Sequence, residues 1–193
     1  MISNSLFNIP IWTKEIPNFQ ESVKQRLLDL VTDYPETRNG TQRFYTNRQS
    51  DTQNFTNRFS EIISTELSEL KRSMNQMLNK DFDLNVKDVW SVTYKNGDYQ
   101  KVHNHSSTGL TGILYIDNPD DGPNLDILQP WDGWVSGKTQ FLSIKFKSGS
   151  MVVFPSFLKH STEPNTSKQT KKVISWDMTI SESFVKTTSR WHR

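Results

Sequence analysis

The sequence predicts a mainly β fold with helical support, an α+β chain in which helices come first and strands follow. Two observations carry this. Up to about residue 80 the apolar residues recur every three or four positions. After residue 83 they form short runs of β-branched and aromatic residues, divided by turn sequences. Helices followed by consecutive short strands suit an antiparallel barrel or sandwich carrying a helical layer. At 193 residues the chain suits one domain. Its expected parts are a helical support and loop over about 1–83, a β core over about 84–183 and a tail over 184–193.

Val23, Leu27, Leu30 and Val31 share one face of a first helix. A second follows, its stripe made of Phe55, Phe59, Ile62, Ile63, Leu67, Leu70, Met74 and Leu78. That stripe reads as core packing, with dimerisation as the lesser use. Residues 35–54 are rich in Thr, Asn, Arg and Gly, and read as a long loop. Strands are expected at 89–94, 111–116, 125–128, 140–146, 150–154 and 172–180. Between them lie the turn sequences Lys95-Asn96-Gly97-Asp98, 118–123, Trp131-Asp132-Gly133 and Lys147-Ser148-Gly149. Trp90 and Trp176 read as core aromatics, while Trp131 and Trp134 flank a turn where they could face a substrate. There is no internal repeat.

Composition narrows the chemistry. Hydrophobic residues are only 33% of the chain, but 6 Trp, 11 Phe and 5 Tyr give them area enough for a core. The net charge of +2 is spread without blocks, so neither a nucleic acid nor a membrane surface is indicated. Absence of cysteine excludes disulfides, zinc–thiolate sites, Fe–S clusters and thiol nucleophiles, so any metal must use nitrogen and oxygen ligands. The first residues lack a signal-peptide pattern and no apolar run reaches 18 residues, so a cytoplasmic protein is expected.

The histidines are His103, His105, His160 and His192. In His103-Asn104-His105 the two rings are one residue apart, so on extended backbone they project to the same side. His160 follows the apolar run 152–158, where a barrel strand would emerge at the rim. Each motif alone also suits polar residues on exposed turns. Three of four histidines at the ends of neighbouring strands point instead to a metal site, and imidazole suits Fe, Zn, Cu and Ni alike.

Three blocks carry a family resemblance. Residues 94–105, with Tyr94, Gly97, Tyr99, His103 and His105, resemble the Tyr-x-x-Gly, aromatic, His-x-Asp strand of prolyl-hydroxylase-type 2-oxoglutarate/Fe(II) oxygenases. Residues 110–117 are similar to the next strand of that superfamily, whose tyrosine falls at Tyr115. Residues 149–165 are similar to its Gly-x-hydrophobic-Phe-Pro-x-x-x-x-His segment, ending here at His160. The chain most resembles short 2-oxoglutarate/Fe(II) oxygenases of phage and bacteria, in which His-x-His precedes a Ser-Gly-aromatic-Tyr strand, here residues 111–115. The opening Leu6-Phe7-Asn8-Ile9-Pro10 and the leading helices also fit that group. The resemblance implies a double-stranded β-helix, or cupin-like jelly roll, with two N-terminal helices packed on it. It further implies Fe(II) as metal, 2-oxoglutarate and O2 as cosubstrates, and hydroxylation of a C–H bond with release of succinate and CO2. The primary substrate is open, with a peptide or protein side chain slightly favoured over a small molecule.

Two departures bear on the site. The superfamily's usual metal carboxylate is replaced by His105, so either His103, His105 and His160 all bind the iron or a carboxylate arrives from Asp117, Asp126 or Asp177. We favour the three histidines. Three neutral ligands leave the centre one unit less negative, which should raise its potential and weaken its affinity. The arginine that usually pairs with 2-oxoglutarate is replaced by lysine, with Lys171 preferred over Lys172 and only one able to point inward. Tyr115 is expected to assist Lys171 in holding the cosubstrate, with Tyr94 and Thr111 as further contacts. The rival readings are a three-histidine metalloenzyme that does not use 2-oxoglutarate, and a non-catalytic, virion-associated binding module on the same fold.

Overall fold

The computed structural model describes residues 9–40, 43–48, 52–133 and 136–182. A first strand, β1 (Trp12–Glu15), leads into α1 (Phe19–Ser22) and α2 (Lys24–Asp33). Two short strands, β2 (Thr37–Asn39) and β3 (Phe44–Thr46), come before α3 (Thr52–Ile62) and α4 (Ser64–Leu78). Then follow β4 (Phe82–Tyr94), β5 (Gln100–His103), β6 (Leu110–Asp117), β7 (Leu125–Asp132), β8 (Thr139–Ile144), β9 (Ser150–Pro155), β10 (His160–Thr162) and β11 (Lys171–Glu182).

These strands form a seven-stranded sheet, ordered β1-β9-β6-β11-β4-β3-β2, and a four-stranded sheet, ordered β5-β10-β7-β8. The pairs are antiparallel throughout. The mainly β architecture with a helical layer is therefore present as expected. Alternation along the strands of the large sheet divides its side chains between two cores. Leu114, Ile116, Met151, Val153, Ile174 and Trp176 face the helices, where they meet Leu27, Leu30, Phe55, Phe59, Leu70 and Met74. Trp90, Val92, Tyr94, Ile113, Tyr115, Val152, Phe154 and Val173 face inward, toward Leu125 and Ile127 of the small sheet.

Some expectations need correction. The two helices are four segments: the second breaks at Ile63, a fully buried residue whose backbone still bonds to Phe59 and Leu67, so the break bends the rod without ending it. The 35–54 loop contains β2 and β3, which extend the sheet through Tyr45↔Thr93 and Thr46↔Val92. Their polar sequence hid them, because the edge of β4 supplies the ladder that the residues themselves do not advertise. Strands β1 and β10, also absent from the expected set, are short and polar and take their ladders from β9 and from β5 and β7. Strand β7 continues to Asp132, so Trp131 lies on a strand, 43% exposed, rather than in a turn. Trp134 and His192 lie outside the described residues.

The turn before β9 shows why glycine stands at 149. Its φ is +88°, and a Cβ there would lie 2.8 Å from the Phe19 side chain, so the residue both turns the chain and lets α1 close on the sheet. Among the described residues no helix is long and apolar enough to cross a membrane.

Candidate metal and cosubstrate site

At one end of the inner cavity, two adjacent strands bring three histidines together. His103 at the end of β5 pairs directly with His160 at the start of β10. His105 continues past β5, with its backbone N–H donating to the Ser156 carbonyl at 3.1 Å. Ring centroids are 4.3 Å apart for His103 and His160, 5.1 Å for His105 and His160, and 5.2 Å for His103 and His105. One ligand atom from each ring can be chosen so that all three lie within 4.8 Å of one another, close enough to share one cation.

The hydrogen bonds at Nδ1 decide which nitrogens are available. His103 Nδ1 is 2.8 Å from the Lys101 carbonyl, and His160 Nδ1 is 3.1 Å from the Leu158 carbonyl. His105 Nδ1 is 2.7 Å from Asp177 Oδ1. Carbonyls and carboxylates only accept, so each Nδ1 carries the proton in the neutral ring and each Nε2 keeps its lone pair. The Gln100 amide confirms the tautomer of His103: its oxygen accepts from Tyr94 Oη at 2.7 Å, leaving its nitrogen 3.1 Å from His103 Nε2. The three rings thus keep Nε2 lone pairs in a pocket where charge is disfavoured, that of His103 accepting from the Gln100 amide. Burial pushes His160 down to about 3, helped by the neighbouring His103, and burial likewise lowers His103, with His105 and Arg48 adding to it.

The carboxylate candidates separate by position. Asp177 stands behind His105, on Nδ1 rather than among the converging lone pairs. Asp117 ion-pairs with Lys24 at 2.6 Å. Asp126 pairs with Ser161, one residue out of phase with the Ile127↔His160 pair, so strand alternation turns it away from the cluster.

The same cavity is lined by Trp90, Tyr94, Tyr115, Thr162 and Lys171. Lys171 is the first residue of β11 and is 1% exposed; Lys172 lies on the other face and is outside the cavity lining. The Lys171 ammonium sits 5.2 Å from the Tyr115 ring centroid and 5.4 Å from that of Tyr94, with the Pro123 carbonyl at 3.4 Å. Burial, with Lys145 nearby, lowers its pKa to about 7, and among the described residues no carboxylate offsets this. Burial raises the phenols of Tyr94 and Tyr115, which therefore stay protonated as donors. Thr111 is placed differently from the expectation of a cosubstrate contact. Its hydroxyl donates to Asp177 Oδ1 at 2.9 Å and lies 2.9 Å from Ser156 Oγ, and it does not line the cavity.

Sequence reasoning missed Gln100 and Ser156, and gave Asp177 no part beyond that of a ligand candidate. Their places depend on cross-strand register, which no local pattern in the chain records.

Residues 88–177 match the family described as "Putative 2OG-Fe(II) oxygenase". The matched segment contains all three converging histidines, Asp177, Tyr115 and Lys171, and it leaves out the N-terminal helices. Among curated proteins no relative matches the chain. Solved structures share the fold. A 2OG-Fe(II) oxygenase family oxidoreductase from Burkholderia pseudomallei aligns with TM-score 0.63 at 10% identity, over 86% of this chain and 84% of that one. A prolyl-4-hydroxylase from Pseudomonas putida gives 0.59 at 15% identity, over 89% and 93%. A Trichoplax adhaerens prolyl hydroxylase, solved with a hypoxia-inducible-factor peptide fragment, gives 0.57 at 14%, over 86% and 83%. The fold is the double-stranded β-helix, and over slightly less than half of its length the chain is similar to 2OG-Fe(II) oxygenases, a family that implies Fe(II) and 2-oxoglutarate as metal and cosubstrate. The donor set fits both. Three imidazole lone pairs suit Fe(II), and a buried ammonium without a carboxylate suits an anionic ligand.

Proposed function

We propose that the protein is an Fe(II)- and 2-oxoglutarate-dependent hydroxylase whose metal is held by His103, His105 and His160. The observation that carries this is the shared tautomer: every Nδ1 is bonded to an acceptor, so each ring offers its Nε2 to a cation, which at His103 would displace the Gln100 amide now 3.1 Å away. When bound, iron, 2-oxoglutarate and O2 supply the oxidant for a C–H bond, with succinate and CO2 released. This chain's residues then do the positioning. Lys171 pairs with the distal carboxylate of the cosubstrate as a point charge, and the protonated Tyr115 phenol donates to it. Tyr94 holds the Gln100 amide next to His103. Trp90, stacked on His105 at 5.4 Å between centroids, walls the metal end of the cavity.

Lys171 also separates this reading from a three-histidine enzyme without 2-oxoglutarate, or from a binding module, since neither needs a buried ammonium in the same cavity. For the primary substrate we propose a peptide or protein side chain. The peptide fragment seen in the Trichoplax neighbour supports this by analogy of fold alone.

The test is anaerobic addition of Fe(II) and 2-oxoglutarate to the purified protein. A weak visible charge-transfer band is expected, lost in His160→Ala and reached only at higher 2-oxoglutarate in Lys171→Ala. Wild-type protein that shows no band at saturating cosubstrate ends the proposal.

A further inference from the structure

Asp177 has no place among the converging lone pairs, yet it is the most heavily engaged carboxylate near them. Its Oδ1 accepts from His105 Nδ1 at 2.7 Å and from the Thr111 hydroxyl at 2.9 Å. Because Thr111 spends its only proton on Asp177, Ser156 must be the donor in the 2.9 Å contact between the two hydroxyls. Ser156 also accepts the His105 backbone N–H through its carbonyl. One residue on the β9–β10 connection therefore holds His105 twice, at the backbone directly and at the ring through Thr111 and Asp177.

The register explains the convergence. Asp177 on β11 pairs with Thr111 on β6, and Thr111 with Phe154 on β9, so the acid and its hydroxyl donor lie side by side on the large sheet. The ring that they hold follows β5, in the small sheet. The back of that ring is closed by Trp90, and Arg48 lies over Trp90 at 4.1 Å. Arg48 approaches the other Asp177 oxygen only to 3.9 Å and is 55% exposed, so solvent screens its claim on the carboxylate.

We propose that Asp177 is the positioning residue for His105 and returns to the metal site, through that ring, the negative charge that His-x-His removes from it. The inference rests on the three-histidine ligand set proposed above. A carboxylate on Nδ1–H makes an imidazole a stronger donor at Nε2 and fixes its plane, and loss of such a partner weakens metal affinity by about 10- to 100-fold. The site keeps three nitrogen ligands, while its charge resembles that of a centre with a directly bound carboxylate.

The experiment is a Co(II) titration of the full chain, followed by the visible ligand-field bands and by the dissociation constant, for wild type, Asp177→Asn, Thr111→Val and His105→Ala. Circular dichroism reports the fold, and NMR reports the His105 Nδ1 proton before metal is added. Asp177→Asn keeps an acceptor without the charge. It is expected to bind Co(II) about 10- to 100-fold more weakly, with altered ligand-field bands and with the Nδ1 proton moved upfield. Thr111→Val, which keeps the shape and removes one hydrogen bond to Asp177, is expected to weaken binding by a smaller factor. Wild-type Co(II) affinity in both variants overturns the proposal and leaves the ligand set standing. Should Asp177→Asn fail to fold, wild-type affinity in Thr111→Val overturns it alone. Equal affinity of wild type and His105→Ala would instead remove His105 from the ligand set.

Discussion

A lysine buried to 1% exposure, with no carboxylate beside it among the described residues, is costly unless something negative joins it, which favours an anionic cosubstrate. Because burial lowers Lys171 to about 7, the ammonium is about half present near pH 7, predominates below it and is progressively lost above it. Affinity for 2-oxoglutarate should therefore fall as pH rises from about 7 to 9, by at most about tenfold per unit. Lys171→Ala should lose about 10- to 100-fold at pH 6.5, the worth of one charge-assisted contact, and its binding should lose the slope. Calorimetric titration across that range checks both; a wild-type affinity that is flat from pH 6.5 to 9 would detach the lysine from the cosubstrate. Much of this residue was legible beforehand, since strand alternation allows only one of Lys171 and Lys172 to face inward. The part played by Asp177 was not. It touches a ring 72 positions away, and a sequence shows the acid without showing which atom of which histidine it reaches.

Between elements, fit depends on residues too small or too polar to look structural. On β6, Gly112 faces the helices, and a Cβ there would fall 2.1 Å from the fully buried Trp176 ring. Gly112→Ala should therefore displace Trp176, and with it Phe59, whose ring centroid is 5.2 Å from that of the indole. A loss of about 1–3 kcal/mol is expected from overpacking of this kind, visible as a lower denaturant midpoint; an unchanged midpoint would show that the sheet can open without cost. Asn165 works differently. Its side chain donates to the Tyr94 and Gln169 carbonyls, both at 3.0 Å, and its backbone bonds to Gly97 and Asp98. It thereby ties the turn that leads to His103 to the connection that leads to Lys171. The long strands could be read in the sequence because burial imposes alternation on them. Strands β5 and β10 are four and three residues long, have partners distant in the chain, and carry the histidines, so function rather than periodicity chose their residues.

At the scale of the whole molecule, the helices pack on one face of the large sheet, and the small sheet closes over the other. The His105–Asp177 bond ties the two sheets at the metal end, from a residue two positions past β5 to β11. That end should also be where acid opens the fold. Burial holds His160 near 3 and lowers His103, while both would titrate near 6.5 in an unfolded chain. Between those values the unfolded state binds more protons, so these residues contribute stability that is fully present above about pH 6.5 and is lost as pH falls toward 3. The denaturant midpoint should thus fall from pH 6.5 downward, before ordinary carboxylates titrate. Replacing His160 with Gln, which is uncharged at every pH, should flatten that slope even if it lowers the stability at pH 7. A divalent metal held by the histidines adds a second dependence of the same sign, because protons compete for the same nitrogens. Metal should accordingly raise the melting temperature most near neutral pH and least near pH 5. If metal-free wild type and His160→Gln lost stability in parallel from pH 7 to 5, acid would be acting elsewhere in the fold.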